Sequence, residues 1–397
     1  MPNAKNLTRM LLLPEVNLES SRKAGKAHTI IDATKESKFE VCPKCAKKSF
    51  TIYDRRKVNI KDSPIRGVSV KLEIIKRRFY CKTCKKPFTE PIPGVGKNHR
   101  TTQRYRREVL WAAEHFTSLK DVRKAYRCSS AFLYKIVYEQ LHLRVARDIN
   151  YPWPTSIGID EHFFKRTKDK KRVREFVTVF TDHKGKRLRE MAHGKTAVEL
   201  IAQVGHIEGR ENVKTVTLDL SDSYKSFVKG FFPNADMIAD KFHVLRLLTP
   251  AINRRRKEIT GDDRKNPIRK LLLRNGKDLE YFEKKSLYLW LDAHVELKEI
   301  YHYKEALHGL YRVKGLRRAE KAYTGLTDRM ASSKLKEIKT LRKTMMKWRK
   351  EFLNYFKYKL TNARTEGFNN VAKLVQKRAY GYKNFENYRV RTLNACA

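Results

Sequence analysis

The stretch Val213 to Val244, VKTVTLDLSDSYKSFVKGFFPNADMIADKFHV, constrains the fold most, because it reads as strand, helix, strand with an acid at each strand end. Thr215 to Leu220 alternates with a β-branched bias, and Asp219 stands at the tip of that run, where an open sheet presents its chemistry. Tyr224, Phe227, Val228 and Phe231 then recur at three- and four-residue steps, giving a helix with one apolar face that Pro233-Asn234 ends. Met237 to Ala239 resumes as a short strand, closed by Asp240 and followed by His243.

One acid at a strand tip is common, but Asp219 has company. Ser156 to Glu161 is another apolar strand ending in acid, at Asp160 and Glu161, and Glu366 opens a helical pattern within NARTEGFNN. Phosphodiester chemistry near neutral pH needs negative charge compensated on both the attacking and the leaving oxygen. Two Mg²⁺ (or Mn²⁺) ions do this, and such hard cations prefer carboxylate oxygens. Asp160, Asp219 and Glu366 are therefore the candidate catalytic residues and metal ligands. Alternation along a strand turns Glu161 to the other face, and Asp222 fits a helix start, so neither is taken as a ligand.

Charge narrows the partner. The 397 residues hold 89 Lys and Arg against 43 Asp and Glu, a formal +46, which calls for a polyanion. The excess runs through the whole chain rather than a tail, and 11% aromatic residues with several patterned strands argue against a ribosomal or histone-like binder. Met10 to Leu13 is too short an apolar run for a signal peptide, and nothing approaches the ~20 apolar residues of a membrane span. A cytoplasmic protein, associated with the nucleoid through DNA, is expected.

Two C-x-x-C pairs, Cys42/Cys45 and Cys81/Cys84, imply metal rather than disulfide in a reducing compartment. The 35 residues between the pairs exceed the usual ribbon spacing, but Ser49 to Ile60 and Val68 to Tyr80 read as two strands turning at Asp62 to Gly67. A hairpin of that length brings both pairs to one structural Cys₄ zinc site. Before it, Ala27 to Ala33 is the one expected strand; after it, Pro87 to Gly96 reads as a linker. Thr101 to Leu143 is helical. Ser118 caps Leu119 to Tyr126 and Ser129-Ser130 caps Ala131 to Leu143, a helix-turn-helix whose Ser129, Ser130, Tyr134 and Lys135 would meet DNA; a small connecting bundle is the alternative.

From Thr155 the order is three strands, helix, strand, helix, strand, the layout of a ribonuclease-H-like α/β sheet whose last helix comes only with Glu366. Residues 244–355 are almost wholly helical and basic, an all-helical insertion. The expected domains are thus 1–96 (zinc ribbon with an N-terminal extension), 97–150 (helix-turn-helix), 151–243 with 356–397 (catalytic), and 244–355 (insertion). Lys373, Lys377 and Arg378, beyond Glu366, are candidate DNA contacts.

The runs GIDE at Gly158–Glu161, LDLSDSY, PNADMIADKFHV and TEGFNNVAKLVQKRAYGYKNFENYR, with the CPKC and CKTC knuckles, resemble the DDE transposases of bacterial insertion sequences, specifically the ISL3 family. The resemblance covers nearly the whole chain. It implies a protein that binds the element's terminal inverted repeats, cuts there, and joins the 3′-hydroxyl ends to target DNA. It also implies the triad Asp160, Asp219 and Glu366, and it matches Asp240 and His243 to a D-x-x-H signature supporting the active site, through ligation or through positioning of DNA. Ala46 stands where the family often has glycine. Pairing two double-stranded ends implies a homodimer or larger assembly. A non-catalytic DNA-binding regulator and a nuclease that cuts without joining are the competing readings.

Overall fold

The computed structural model describes residues 13, 15–25, 28–116, 118–166, 174–261 and 266–397. It divides into two compact units, 1–143 and 144–397. In the first, strands β1 (Val16–Lys23), β2 (His28–Lys35), β3 (Glu40–Val41), β4 (Lys48–Ser49), β5 (Ile52–Ile65), β6 (Val68–Cys81) and β7 (Lys86–Thr89) follow one another. The main sheet has the order β1-β2-β6-β5, with β7 also on β6. The long hairpin forms as expected. Val70, Leu72 and Ile74 alternate into the core beside Ile31, Ala33 and Ile60, while Lys71 and Ile75 point out. Arg66 and Gly67, at φ 50° and 76°, make the left-handed two-residue turn that matches strand twist.

Three features differ from the sequence reading. Strand β1 pairs with β2, although VNLESSRK has no apolar alternation beyond Leu18. Pro87 to Gly96 is not a plain linker: β2 covers β6 only from Ser69 to Ile75, and Lys86–Thr89 takes the open edge at Arg78 to Cys81. Behind it Glu90 is buried against Arg77, and Ile92 joins the core. Finally, β5 runs past Ile60 through a bulge at Asp62 to Ile65 that admits Pro64. The buried Asp62 side chain accepts hydrogen bonds from Thr102 and Arg104 and so anchors the helix Gln103–His115. Helices Leu119–Tyr126 and Ser130–Asp148 follow; Ser118 accepts from the Asp121 amide, Ser129 from the Phe132 amide, and Arg127 turns left-handed between them.

The two knuckles bring the four cysteines together. Cys42 Sγ lies 3.9 Å from Cys84 Sγ, and Cys45 Sγ lies 3.5 Å from Cys81 Sγ. A tetrahedral ion with Zn–S bonds of ~2.3 Å requires sulfur separations of about 3.8 Å, so the cage fits zinc. Backbone N–H groups, that of Lys44 foremost, bring the Cys42 thiol down to about 7, toward the thiolate a metal needs. Each second cysteine is followed by a left-handed residue, Ala46 (φ 55°) and Lys85 (φ 50°).

The second unit is built on β8 (Ser156–Arg166), β9 (Arg174–Asp182), β10 (Arg187–His193), β11 (Thr215–Leu218) and β12 (Asp236–Ala239). Their order is β10-β9-β8-β11-β12; the first three run antiparallel, and β11 is parallel to both β8 and β12. Ile157, Ile159 and Phe180 point to one face, packing on Tyr224 and Phe227 of helix Asp222–Phe231 and on Leu200 of helix Ala197–Val204. Phe164, Val177, Val179 and Met191 point to the other, under helices Ala363–Arg378 and Phe385–Ala395.

Between β12 and Ala363 the described residues are helical, from Lys241–Leu245 and Thr249–Thr260 to Arg349–Tyr358. The described residues of this stretch share the core of the sheet. Leu287, Ile300, Tyr323 and Phe352 belong to the same apolar cluster as Val216 and Phe227, and Asn354 Nδ2 donates to Met237 O on β12 at 2.8 Å.

The Ala46 conformation sets a test. A left-handed L-residue costs about 1–2 kcal/mol, more than the ~0.5–1 kcal/mol of backbone entropy that glycine adds. Ala46→Gly should therefore stabilise the first unit by about 0.5–1 kcal/mol in denaturant unfolding, with zinc content per chain unchanged.

Candidate active site

Strand β8 outruns its neighbour. β11 pairs with it only as far as Thr217 opposite Gly158, so Asp160 and Glu161 lie beyond the last paired residues, on the side where Asp219 leaves the end of β11. β12 ends beside β11, with Leu218 opposite Ala239, and Asp240 follows as the N-cap of Lys241–Leu245. One carboxylate oxygen from each of Asp160, Glu161 and Asp219 lies within 4.8 Å of the other two; a carboxylate oxygen each of Asp219 and Asp240 and a ring nitrogen of His243 gather as closely. Glu366 sits exposed in the first turn of Ala363–Arg378, near enough to Asp219 to raise its pKa. Gly158 makes that helix approach possible, since a Cβ there would run into Thr365 Oγ1 and Asn362 Oδ1.

Crowded acids perturb one another. Burial first, then the charge of Asp219, pushes the Asp160 carboxyl up to about 7. Asp219 is also raised by burial, partly offset by His243. His243 Nδ1 lies 2.8 Å from Asp219 Oδ1 and 3.0 Å from Asp240 Oδ2, and hydrogen bonding to these two acids lifts it to about 10, so it is an imidazolium at neutral pH. Burial alone would raise Asp240, but hydrogen bonds from His243 and from the backbone N–H groups of Asn362 and His243 bring it below the ordinary carboxylate value. The single Nδ1 proton is aimed at Asp240. Glu161 Oε2 is buried and accepts no hydrogen bond from a described residue, and Asp219 Oδ1 is buried against the His243 imidazolium alone among them. Such oxygens have unused capacity for a cation, and an all-carboxylate set suits Mg²⁺ or Mn²⁺.

Glu161 is the main departure from the sequence reading. Its side chain starts on the face expected, beside Tyr224, whose hydroxyl it helps to hold neutral after burial. Its carboxyl nevertheless reaches the acidic cluster, because past the end of β11 no neighbouring strand separates the two faces. Asp222 is the helix start expected, with its carboxylate on Lys347 Nζ at 2.6 Å. Two residues were missed. Asn369 Nδ2 donates to Asp160 Oδ2 at 2.7 Å, and Asn362 touches β8, β11 and Asp240. Asn369 lies three residues after Glu366, a spacing that puts both on one side of a helix, but an asparagine's partner cannot be read from spacing.

The candidate DNA contacts are placed as follows. Ser129, Ser130, Tyr134 and Lys135 are all exposed at the start of Ser130–Asp148; Arg123 donates to Ser130 Oγ at 3.1 Å, and Lys135 lies 3.8 Å from Glu139. Lys373 and Lys377 are exposed on Ala363–Arg378, and Arg378 is half-buried. No helix among the described residues is long and apolar enough to cross a membrane.

A sulfur cage of zinc-ribbon type in one unit and a carboxylate cluster at the strand ends of an α/β sheet in the other define the class of a two-unit protein with two candidate metal-binding centres. Sequence comparison makes the class specific. Residues 157–392 match the transposase family of DDE ISL3 type, and residues 38–84 match the zinc finger of the IS204/IS1001/IS1096/IS1165 transposases. The chain belongs to the ISL3 family of transposases. The transposase for insertion sequence element IS1001 of Bordetella parapertussis is 21% identical over 365 residues, spanning 89% of this chain and 87% of that protein.

The raised Asp160 carboxyl gives a signed prediction. A folded-state pKa near 7 against 3.8 means that ionising Asp160 costs folding energy, absent at low pH and growing as pH rises toward 7. Asp160→Asn should stabilise the metal-free protein by roughly 2–4 kcal/mol at pH 8 and by little at pH 4. Thermal melts with and without Mg²⁺ check this: saturating cation should narrow the gap, since wild type gains more from binding.

Proposed function

We propose that this protein is a DNA transposase that binds the terminal inverted repeats of its insertion sequence, cleaves at the ends, and transfers the resulting 3′-hydroxyls to target DNA. The observation that carries this reading is the gathering of Asp160, Glu161 and Asp219 at the strand ends, with Glu366 on the adjoining helix close enough to raise the pKa of Asp219. A half-buried carboxyl pushed up to about 7 beside other acids supports a catalytic reading over binding alone.

The sheet is of ribonuclease-H-like type, a reading supported by its strand order and by the parallel β8–β11 pairing that sets the two aspartate-bearing strands side by side. Asp160, Asp219 and Glu366 would hold two divalent ions, Mg²⁺ or Mn²⁺, which would supply Lewis-acid stabilisation at the attacking and leaving oxygens. The chain's own part is positional and electrostatic. Asp240 and His243 support the site, since the imidazolium offsets the charge of Asp219 while Asp240 caps the helix that carries it. No Ser, Tyr or Cys nucleophile is invoked, so strand transfer proceeds without a protein–DNA covalent bond.

Helices Leu119–Tyr126 and Ser130–Asp148 act as the helix-turn-helix. Ser129, Ser130, Tyr134 and Lys135 face the repeat, and the Cys42, Cys45, Cys81, Cys84 zinc ribbon stiffens that module. Lys373, Lys377 and Arg378 contact phosphate near the cut. Residues 1–96, 97–150, 151–243 with 356–397, and 244–355 serve as ribbon, reader, catalytic sheet and helical cover. Two ends require at least a homodimer on DNA, in the cytoplasm at the nucleoid.

Incubation of the protein and Mg²⁺ with labelled DNA carrying the element's own ends tests this. Joined products are expected. Asp160→Asn, Asp219→Asn and Glu366→Gln should each lower joining by at least about 10²-fold with end binding retained. Cut products alone would reduce the reading to a nuclease, and bound DNA alone would reduce it to a regulator.

A further inference from the structure

The helix bearing Glu366 reaches the sheet more than a hundred residues after Asp240, so something local must set its register against the two aspartates. Two buried asparagines bracket Glu366 on that helix. Asn362, at its N-terminus and 3% exposed, meets each acid-bearing element: its backbone N–H donates to Asp240 Oδ1 at 2.9 Å, its Nδ2 to Ile159 O on β8 at 2.8 Å, and its Oδ1 accepts from Thr217 Oγ1 on β11 at 3.0 Å. Asn369, one turn after Glu366 and 2% exposed, donates from Nδ2 to Asp160 Oδ2 at 2.7 Å. The other Asp160 oxygen accepts from the Glu161 amide at 2.8 Å.

Hydrogen-bond direction follows from these partners. Because the Asn369 amide nitrogen serves Asp160, its Oδ1 must accept, and His162 Nδ1, 2.8 Å away, must carry the proton. His162 Nε2 then accepts from the Tyr388 hydroxyl at 2.7 Å. With Asp160 ionised, as cation binding requires, the result is a one-way chain, Tyr388 to His162 to Asn369 to Asp160. Breaking a link then strands a buried donor or acceptor, which favours this one arrangement.

We propose that Asn369 and Asn362 are positioning residues that lock the Glu366 helix to the strands and fix the rotamer of Asp160 for cation binding. This rests on the function proposed above. Asn369 acts on the ligand itself, so its loss should weaken the cation and not merely the fold; partners of metal ligands typically change affinity 10- to 100-fold when removed.

The test compares full-length wild type, Asn369→Ala and, as a packing control, Leu393→Ala, which empties a buried site in the same layer. Mn²⁺ binding is read directly by electron paramagnetic resonance, alongside strand joining and thermal midpoint. Asn369→Ala should raise the Mn²⁺ half-saturation 10- to 100-fold and lower joining even at saturating Mn²⁺, while Leu393→Ala lowers the midpoint and leaves Mn²⁺ half-saturation unchanged. Equal shifts in both variants, or wild-type Mn²⁺ binding in Asn369→Ala, would overturn the proposal and leave the transposase reading standing. A wild type that binds no Mn²⁺ would remove both.

Discussion

Mutual repulsion among half-buried acids is the constraint on which the second unit depends. Asp160, Glu161 and Asp219 share a space small enough for one ligand oxygen of each to lie within 4.8 Å of the others, and no described residue hydrogen-bonds Glu161 Oε2. Such a cluster opposes folding unless charge is compensated or protons are retained. Both devices are present: the His243 imidazolium sits against Asp219 and Asp240, and the Asp160 carboxyl keeps its proton until about pH 7. The stability lost at this point is recovered in the apolar layers on either side of the sheet.

Those layers also explain the long helical stretch. Its residues close over the same face as Phe227 and Val216, so it extends the core under β11 and β12, the strands whose ends carry Asp219 and Asp240. Helix Arg349–Tyr358 bonds β12 directly through Asn354, and Lys225 pairs with the buried Glu351 at 2.7 Å. The insertion therefore holds the sheet from one side, while the returning helix Ala363–Arg378 meets it from the other.

Much of this was legible in the sequence for identifiable reasons. The strand–helix–strand run around Asp219 has strong periodicity at both its periods, and the cysteine pairs are constrained by coordination chemistry; both formed where expected. The adjacency of the Asp160 and Asp219 strands followed from element order. What escaped reading depends on pairing geometry. Strand β1 has little alternation because most of it is exposed, and β7 contains a proline that only an open edge tolerates. Glu161 joins the acids because β11 stops short, and Asn362 and Asn369 matter through partners hundreds of residues away. Resemblance to the ISL3 family pointed to Glu366, while its distance in the chain gave no hint of how the helix is held.

The central claim is that acids scattered along the chain form one cation site. Anomalous X-ray scattering from Mn²⁺-soaked crystals of the DNA complex measures it most directly. The account requires manganese between Asp160 and Asp219, with Glu366 among the ligands. Manganese confined to Asp219, Asp240 and His243, with Glu366 unengaged, would contradict it.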